Sequence, residues 1–126
     1  MLKNHISLCK KILLPGRELV VALDAVNGAG SEIIPRALEE FGVKVIHIAT
    51  DSKKPFPHPP EPKEENFEWT KEQLKDKKYD FAAVVDPDAD RLVLIDEKGD
   101  IVFEELTVAL AVESFLREGK SDVVVN

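Results

Sequence analysis

The sequence predicts an α/β fold, a three-layer α/β/α domain with a mixed, mostly parallel sheet. Short apolar runs alternate with amphipathic stretches of helix length, the pattern of strands joined by helical crossovers. One connection breaks that alternation. Between the apolar runs Phe81 to Val85 and Leu92 to Ile95 stands only Asp86-Pro87-Asp88-Ala89-Asp90-Arg91. That is too short for a crossover helix, so these strands are expected to be antiparallel neighbours.

Leu2, Ile6, Cys9 and Leu13 recur at helical spacing, so residues 2 to 14 read as an amphipathic helix ended by Pro15-Gly16. Cys9 on that stripe reads as a small buried apolar group. Leu19 to Leu23 has the continuous apolar character of a buried parallel strand. Asp24 to Ser31 is the turn into a helix whose stripe is Ile33, Ile34, Ala37, Leu38 and Phe41, with Pro35 near its first turn and Gly42 as its stop. Asn27 and Gly28 are expected to supply positive φ in that turn. Gly28-Ala29-Gly30 after a strand invites comparison with a dinucleotide fingerprint. The third glycine position is Ile33, and only Asp51 stands near the acidic position, so nucleotide binding is disfavoured.

Val43 to Ala49 is the second strand, and His47 on it reads as a packed or surface histidine. Residues 50 to 66 hold five of the chain's eight prolines and read as a stiff extended loop. His58 in that loop is expected to be structural or exposed, because nothing near it in sequence completes a site. Residues 67 to 78 read as a helix that Trp69 fits poorly, with Thr70 and Gln73 as a candidate capping pair for a later start. Glu97 to Asp100 is a turn that returns Ile101 to Phe103 antiparallel. A final helix runs from Glu104 to about Glu118, stopped by Gly119, and Val123 to Val125 begins another strand.

A chain of 126 residues fits one domain with a real core. The net charge of −7 argues against non-specific nucleic-acid binding. A single cysteine permits no intrachain disulfide, which fits a reducing cytosol, so a cytoplasmic location is expected. No apolar run approaches the ~20 residues needed to cross a bilayer, and no membrane partner is expected.

The acidic connection carries the chemistry. Pro87 cannot donate to a sheet ladder, so the strand should stop at Asp86, and the loop can curl its three carboxylates toward one point. Two such charges ~5 Å apart repel by roughly 3 kcal/mol at an effective dielectric of about 20. A cation, or a proton on one carboxylate, must offset this. Oxygen ligands of this kind select Mg²⁺, Mn²⁺ or Ca²⁺ over zinc. Arg91 adds a fixed charge with a planar fork suited to phosphate.

Asp86-x-Asp88-x-Asp90-Arg91 resembles the metal-binding loop of the α-D-phosphohexomutases, the phosphoglucomutase/phosphomannomutase family. The resemblance extends to Leu19-Val-Val-Ala-Leu-Asp24-Ala-Val-Asn27-Gly28-Ala-Gly30, to Phe56-Pro-His58-Pro-Pro-Glu61-Pro62 and to Asp96-Glu-Lys-Gly99-Asp100, in the family's order. It covers roughly residues 1–103 and implies the second of that family's four domains, with residues 104–126 opening the third. It implies Asp86, Asp88 and Asp90 as Mg²⁺ ligands (Mn²⁺ as the substitute) and Arg91 as a catalytic contact to phosphate or aid to proton transfer. The reaction implied interconverts hexose 1-phosphate and hexose 6-phosphate through a phosphoserine and a bisphosphorylated intermediate. The phosphosugar would meet this chain only within the complete enzyme. The chain lacks a Ser-His-Asn phosphoserine motif, so in isolation it is expected to be inactive. A homodimer through residues 104–126 is a further expectation.

Other chemistries fit the loop less well. Counted from Asp86, acids at positions one, three, five and twelve (Glu97) match a calcium-binding EF-hand, but position six is Arg91 where glycine is needed, and strands flank the loop. A haloacid-dehalogenase-type phosphatase would use Asp86 as nucleophile and Asp88 as acid/base, but it needs Thr or Val where Asp90 stands. The plainest alternative is a solvated acidic turn without metal.

Overall fold

The computed structural model describes residues 18–61, 63–117 and 119. The expected helix over residues 2 to 14 and the expected strand at Val123 to Val125 lie outside them. Strand β1 (Val20–Asp24) leads into helix α1 (Gly30–Glu40) and strand β2 (Lys44–Ala49). A 3-10 turn (Glu64–Asn66) and helix α2 (Glu68–Leu74) then precede the hairpin of β3 (Phe81–Val85) and β4 (Leu92–Asp96). Strand β5 (Ile101–Val102) and helix α3 (Glu104–Arg117) follow.

The five strands form one mixed sheet in the order β2-β1-β3-β4-β5. β1 is parallel to β2 and to β3, while β3–β4 and β4–β5 are antiparallel. The antiparallel β3–β4 pair inferred from the short acidic connection is present, with Val85 opposite Leu92. The chain leaves β1 for β2 through α1 and returns across β1 to β3 through α2. Right-handed crossovers in opposite directions put those helices on opposite faces.

Both faces are apolar for that reason. On one, Phe67 and Leu74 pack over Ala22, Ala82, Val84, Val93 and Ile95. On the other, Val21, Leu23 and Ala83 lie against Ile34 and Leu38 of α1. Alternate residues of β1 thus serve opposite cores, which explains its uninterrupted apolar run.

Several expectations are corrected. Pro35 is a buried residue in the body of α1, not its first turn. The helix expected over 67 to 78 stops at Leu74, and Asp76 adopts a left-handed φ of 64°. Thr70 does not cap it; the residue is fully buried, on one stripe with Leu74. Gly42 (φ 81°) and Gly119 (φ 76°) do terminate their helices as expected. α3 buries none of its residues and leaves Leu106, Val108, Leu110, Phe115 and Leu116 exposed. No helix among the described residues is long and apolar enough to cross a membrane.

Candidate metal centre

The C-terminal ends of the three parallel strands open on one edge of the sheet, where α/β folds gather their functional loops. Three connections meet there: the β1–α1 turn, the loop after β2 and the acidic β3–β4 loop.

The β1–α1 turn is the foundation. Ala25 and Asn27 both donate their backbone N–H to the carbonyl of Ala49, at 3.1 and 2.9 Å, which clamps the turn to the end of β2. Val26 (φ 45°) and Asn27 (φ 59°) are left-handed. Asn27 repays this with its side chain. Its Oδ1 accepts from Asp51 N at 2.9 Å and its Nδ2 donates to Pro55 O at 2.8 Å, so one amide ties the turn to the proline-rich loop. Gly28 has no positive φ, contrary to expectation. Its role is space, because a Cβ there would lie 2.5 Å from Pro87 O and 2.7 Å from Pro87 Cα. The backbones are so close that Ala29 N donates to Pro87 O at 2.7 Å. The amino end of α1 is thereby turned on the acidic loop, a favourable placement for negative charge.

Within that loop Ala89 is left-handed (φ 61°) and its N–H donates to Asp86 O at 3.0 Å, a tight turn that folds the carboxylates inward. Ligand atoms of Asp86, Asp88 and Asp90 lie within 4.8 Å of one another. Asp86 is buried, while Asp88 and Asp90 are exposed. Asp86 Oδ1 accepts from the backbone N–H groups of Asp90 and Arg91 at 3.2 and 3.3 Å, and its Oδ2 accepts from Arg91 Nε at 2.7 Å. Burial pushes the Asp86 carboxyl up, but the Arg91 bonds and charge prevail and hold it below the usual carboxylate range. Asp90 is pushed the other way, first by the charge of Asp88 and then by that of Asp86. The crowding of negative charge read from the sequence is therefore real.

The donor set fits a divalent cation with oxygen ligands. A carboxylate offers about four lone-pair directions. Asp86 uses three in hydrogen bonds and keeps one on Oδ2, and the other two aspartates face solvent. Arg91 is 48% exposed, so its outer guanidinium nitrogens remain available to an anion beside the carboxylates.

The EF-hand alternative fails on this geometry. Strands flank the loop, and Glu97 lies in the β4–β5 turn, beyond the far end of β4.

Sequence reasoning missed a second cluster next to this edge. Asp24, fully buried at the end of β1, accepts from Val26 N at 2.9 Å, from His58 Nε2 at 3.0 Å and from Thr70 Oγ1 at 2.5 Å. Trp69 leaves the apolar stripe of α2 to lie against the His58 ring, with centroids 5.1 Å apart. His58 reads as structural, but its side chain is buried and hydrogen-bonded to a buried aspartate. The available signal was Thr70 on a buried stripe with Phe67 and Leu74, facing an aspartate at a strand end. His47 is a surface residue, with Nδ1 2.8 Å from Thr50 Oγ1.

A family model described as phosphoglucomutase/phosphomannomutase, alpha/beta/alpha domain II, matches residues 2–99. The chain belongs to this phosphohexomutase family. A phosphoglucomutase/phosphomannomutase of Thermococcus kodakarensis is 39% identical over 110 residues, which is 86% of this chain and 24% of that protein. A phosphopentomutase of the same organism is 37% identical, again over 86% of this chain and 24% of its own length. The crystal structure of a phosphoglucomutase/phosphomannomutase family protein from Burkholderia thailandensis superposes with a TM-score of 0.78. That alignment has 22% identity and covers 94% of this chain and 26% of the other, supporting the fold. The chain thus spans about a quarter of the length of the relatives it matches.

Proposed function

We propose that the chain is the metal-holding domain of a phosphosugar mutase, with Asp86, Asp88 and Asp90 as ligands of Mg²⁺ or Mn²⁺ and Arg91 as a phosphate contact. The observation that carries this reading is the convergence of three carboxylates within 4.8 Å at a sheet edge, in a chain of this family. The bound cation would offset the charge of a phosphoryl group in transfer. The protein's own part is positional. Gly28 and Ala29 fix Pro87, and the turn through Ala89 sets the spacing of the three acids. Asp86 holds Arg91 by its Nε, which aims a fixed positive charge beside the site. No serine of this chain stands in the family's phosphoserine motif, so the phosphoryl group and the sugar would come from elsewhere in a longer enzyme. The names of the two archaeal relatives cover hexose and pentose phosphates at nearly equal identity, which supports a phosphosugar and not one particular sugar.

Titration with Mn²⁺, followed by paramagnetic relaxation of amide signals, tests the site. Binding in the millimolar range, about −4 kcal/mol, is expected, because no substrate phosphate completes the shell. The broadening should centre on residues 86–91 and disappear in Asp88→Asn. An unchanged response in that variant would remove the assignment.

We propose also that the family domain ends near residue 103 and that α3 opens the next unit. The family match stops at residue 99, and α3 leaves Leu106, Val108, Leu110 and Leu116 about half exposed or more. Burying such a side chain is worth about 1.5–3 kcal/mol, so the full chain is expected to self-associate through α3. Light scattering should show a dimer that a version ending at Phe103 does not form. Two monomers would refute the association.

A further inference from the structure

The His58 ring is held between two acceptors. Its Nε2 lies 3.0 Å from Asp24 Oδ2 and its Nδ1 lies 2.9 Å from the carbonyl oxygen of Pro59. A neutral imidazole has one N–H and can satisfy only one of them. The side chain is 5% exposed and that of Asp24 1%, so the Asp24 end of the pair is closed to water, while the Pro59 contact lies on the exposed side of the loop. The face of Trp69 beside the ring favours a cation. We propose that His58 is an imidazolium in the folded chain at neutral pH, and that its bond to Asp24 is a proton-operated latch on the loop spanning residues 50–61.

The groups around the ring give the latch its direction. Asp24 of β1 is the ionisable group that faces it, and α2 presents the uncharged Trp69 and Thr70. Burial pulls the imidazole pKa down, but the hydrogen bond and charge of Asp24 and the Pro59 carbonyl outweigh it, for a net rise. Loss of the proton removes one of the two N–H groups and with it one of the two ring contacts, while Asp24 Oδ2 keeps the Thr70 hydroxyl. Among the described residues, the loop's other ties include the contact of Thr50 with His47, the Asn27 bonds to Asp51 and Pro55, and the bonds from Asn66 and Lys63 to the Glu61 carbonyl. His58 is the tie between them, so its release frees the middle of the loop at the edge that carries the acidic site. The inference stands independently of the phosphosugar reading.

Trp69 is the chain's only tryptophan, so its fluorescence reports on His58 directly. A protonated imidazole quenches a neighbouring indole. In the full chain, emission is expected to rise in one step centred above the ordinary imidazole value of 6.5, and the step should vanish in His58→Gln. Long-range ¹H–¹⁵N spectra at pH 7 should show both ring nitrogens protonated. Backbone amides of residues 50–61 should lose exchange protection about tenfold across the same step, beyond the intrinsic effect of pH. A bare ring nitrogen at pH 7 overturns the charged state. A titration that leaves loop protection unchanged overturns the latch. The spectra of the unsubstituted chain decide the matter even if His58→Gln fails to fold.

Discussion

Replacing Asp24 by alanine is expected to destabilise the chain by about 3–5 kcal/mol, the range for removing one partner of a buried, hydrogen-bonded charge pair. The carboxylate is fully buried and serves three donors: Val26 N, His58 Nε2 and Thr70 Oγ1. Each lies on a different segment. The variant therefore leaves the imidazole, a hydroxyl and a backbone N–H without their shared acceptor, drives His58 toward its neutral form, and leaves a cavity beside Trp69. The thermal midpoint should fall by roughly 10–20 °C. Urea unfolding followed by Trp69 emission measures it, and a loss below about 1 kcal/mol would show that the cluster is incidental. The effect should depend on pH. A pKa raised by folding contributes stability that is full below the ordinary value of 6.5 and fades as pH rises through the higher native value. The gap between the unsubstituted chain and Asp24→Ala should therefore narrow on the alkaline side.

That cluster also shows where sequence reasoning stops. The strands, the antiparallel β3–β4 pair and the acidic loop were legible because each rests on residues close together in the chain. Pro87 ends β3, the short connection forces the hairpin, and alternate acids in a tight turn must crowd. Asp24 meets His58 across 34 positions and Thr70 across 46. No periodicity records such a meeting, so His58 read as a histidine with no site, and Trp69 as a residue out of register with its helix. It is out of register because it faces the imidazole and not the sheet. The end of α2 was missed for a similar reason. Helical spacing continues past Leu74, but Asp76 turns left-handed so that the chain can enter β3. The glycine in the first turn was recognised and its purpose mistaken. The positive φ angles fall on Val26 and Asn27, where the bonds of Asp24 and Asn27 to the neighbouring backbone hold them.

The purpose of Gly28 sets up the second large effect. Gly28→Ala should destabilise the chain by about 3 kcal/mol, the upper end of the usual cost of overpacking, and should sharply weaken the Mn²⁺ response. The added methyl would stand 2.5 Å from Pro87 O and 2.9 Å from Pro87 C. Both are backbone atoms, and the proline ring restricts how the loop can yield. The loop must move away as a unit, which breaks the 2.7 Å bond from Ala29 N to Pro87 O. Asp86 immediately precedes Pro87 and Asp88 immediately follows it, so the same movement spreads the carboxylates. The contrast with Gly42 is the control. Nothing lies within 4 Å of a Cβ there, so Gly42→Ala meets only the strain of its φ of 81° and should leave metal binding intact. Unfolding curves and Mn²⁺ titrations of both variants separate the two cases. If Gly28→Ala binds Mn²⁺ as the unsubstituted chain does, the packing of the β1–α1 turn on Pro87 does not set the geometry of the acids.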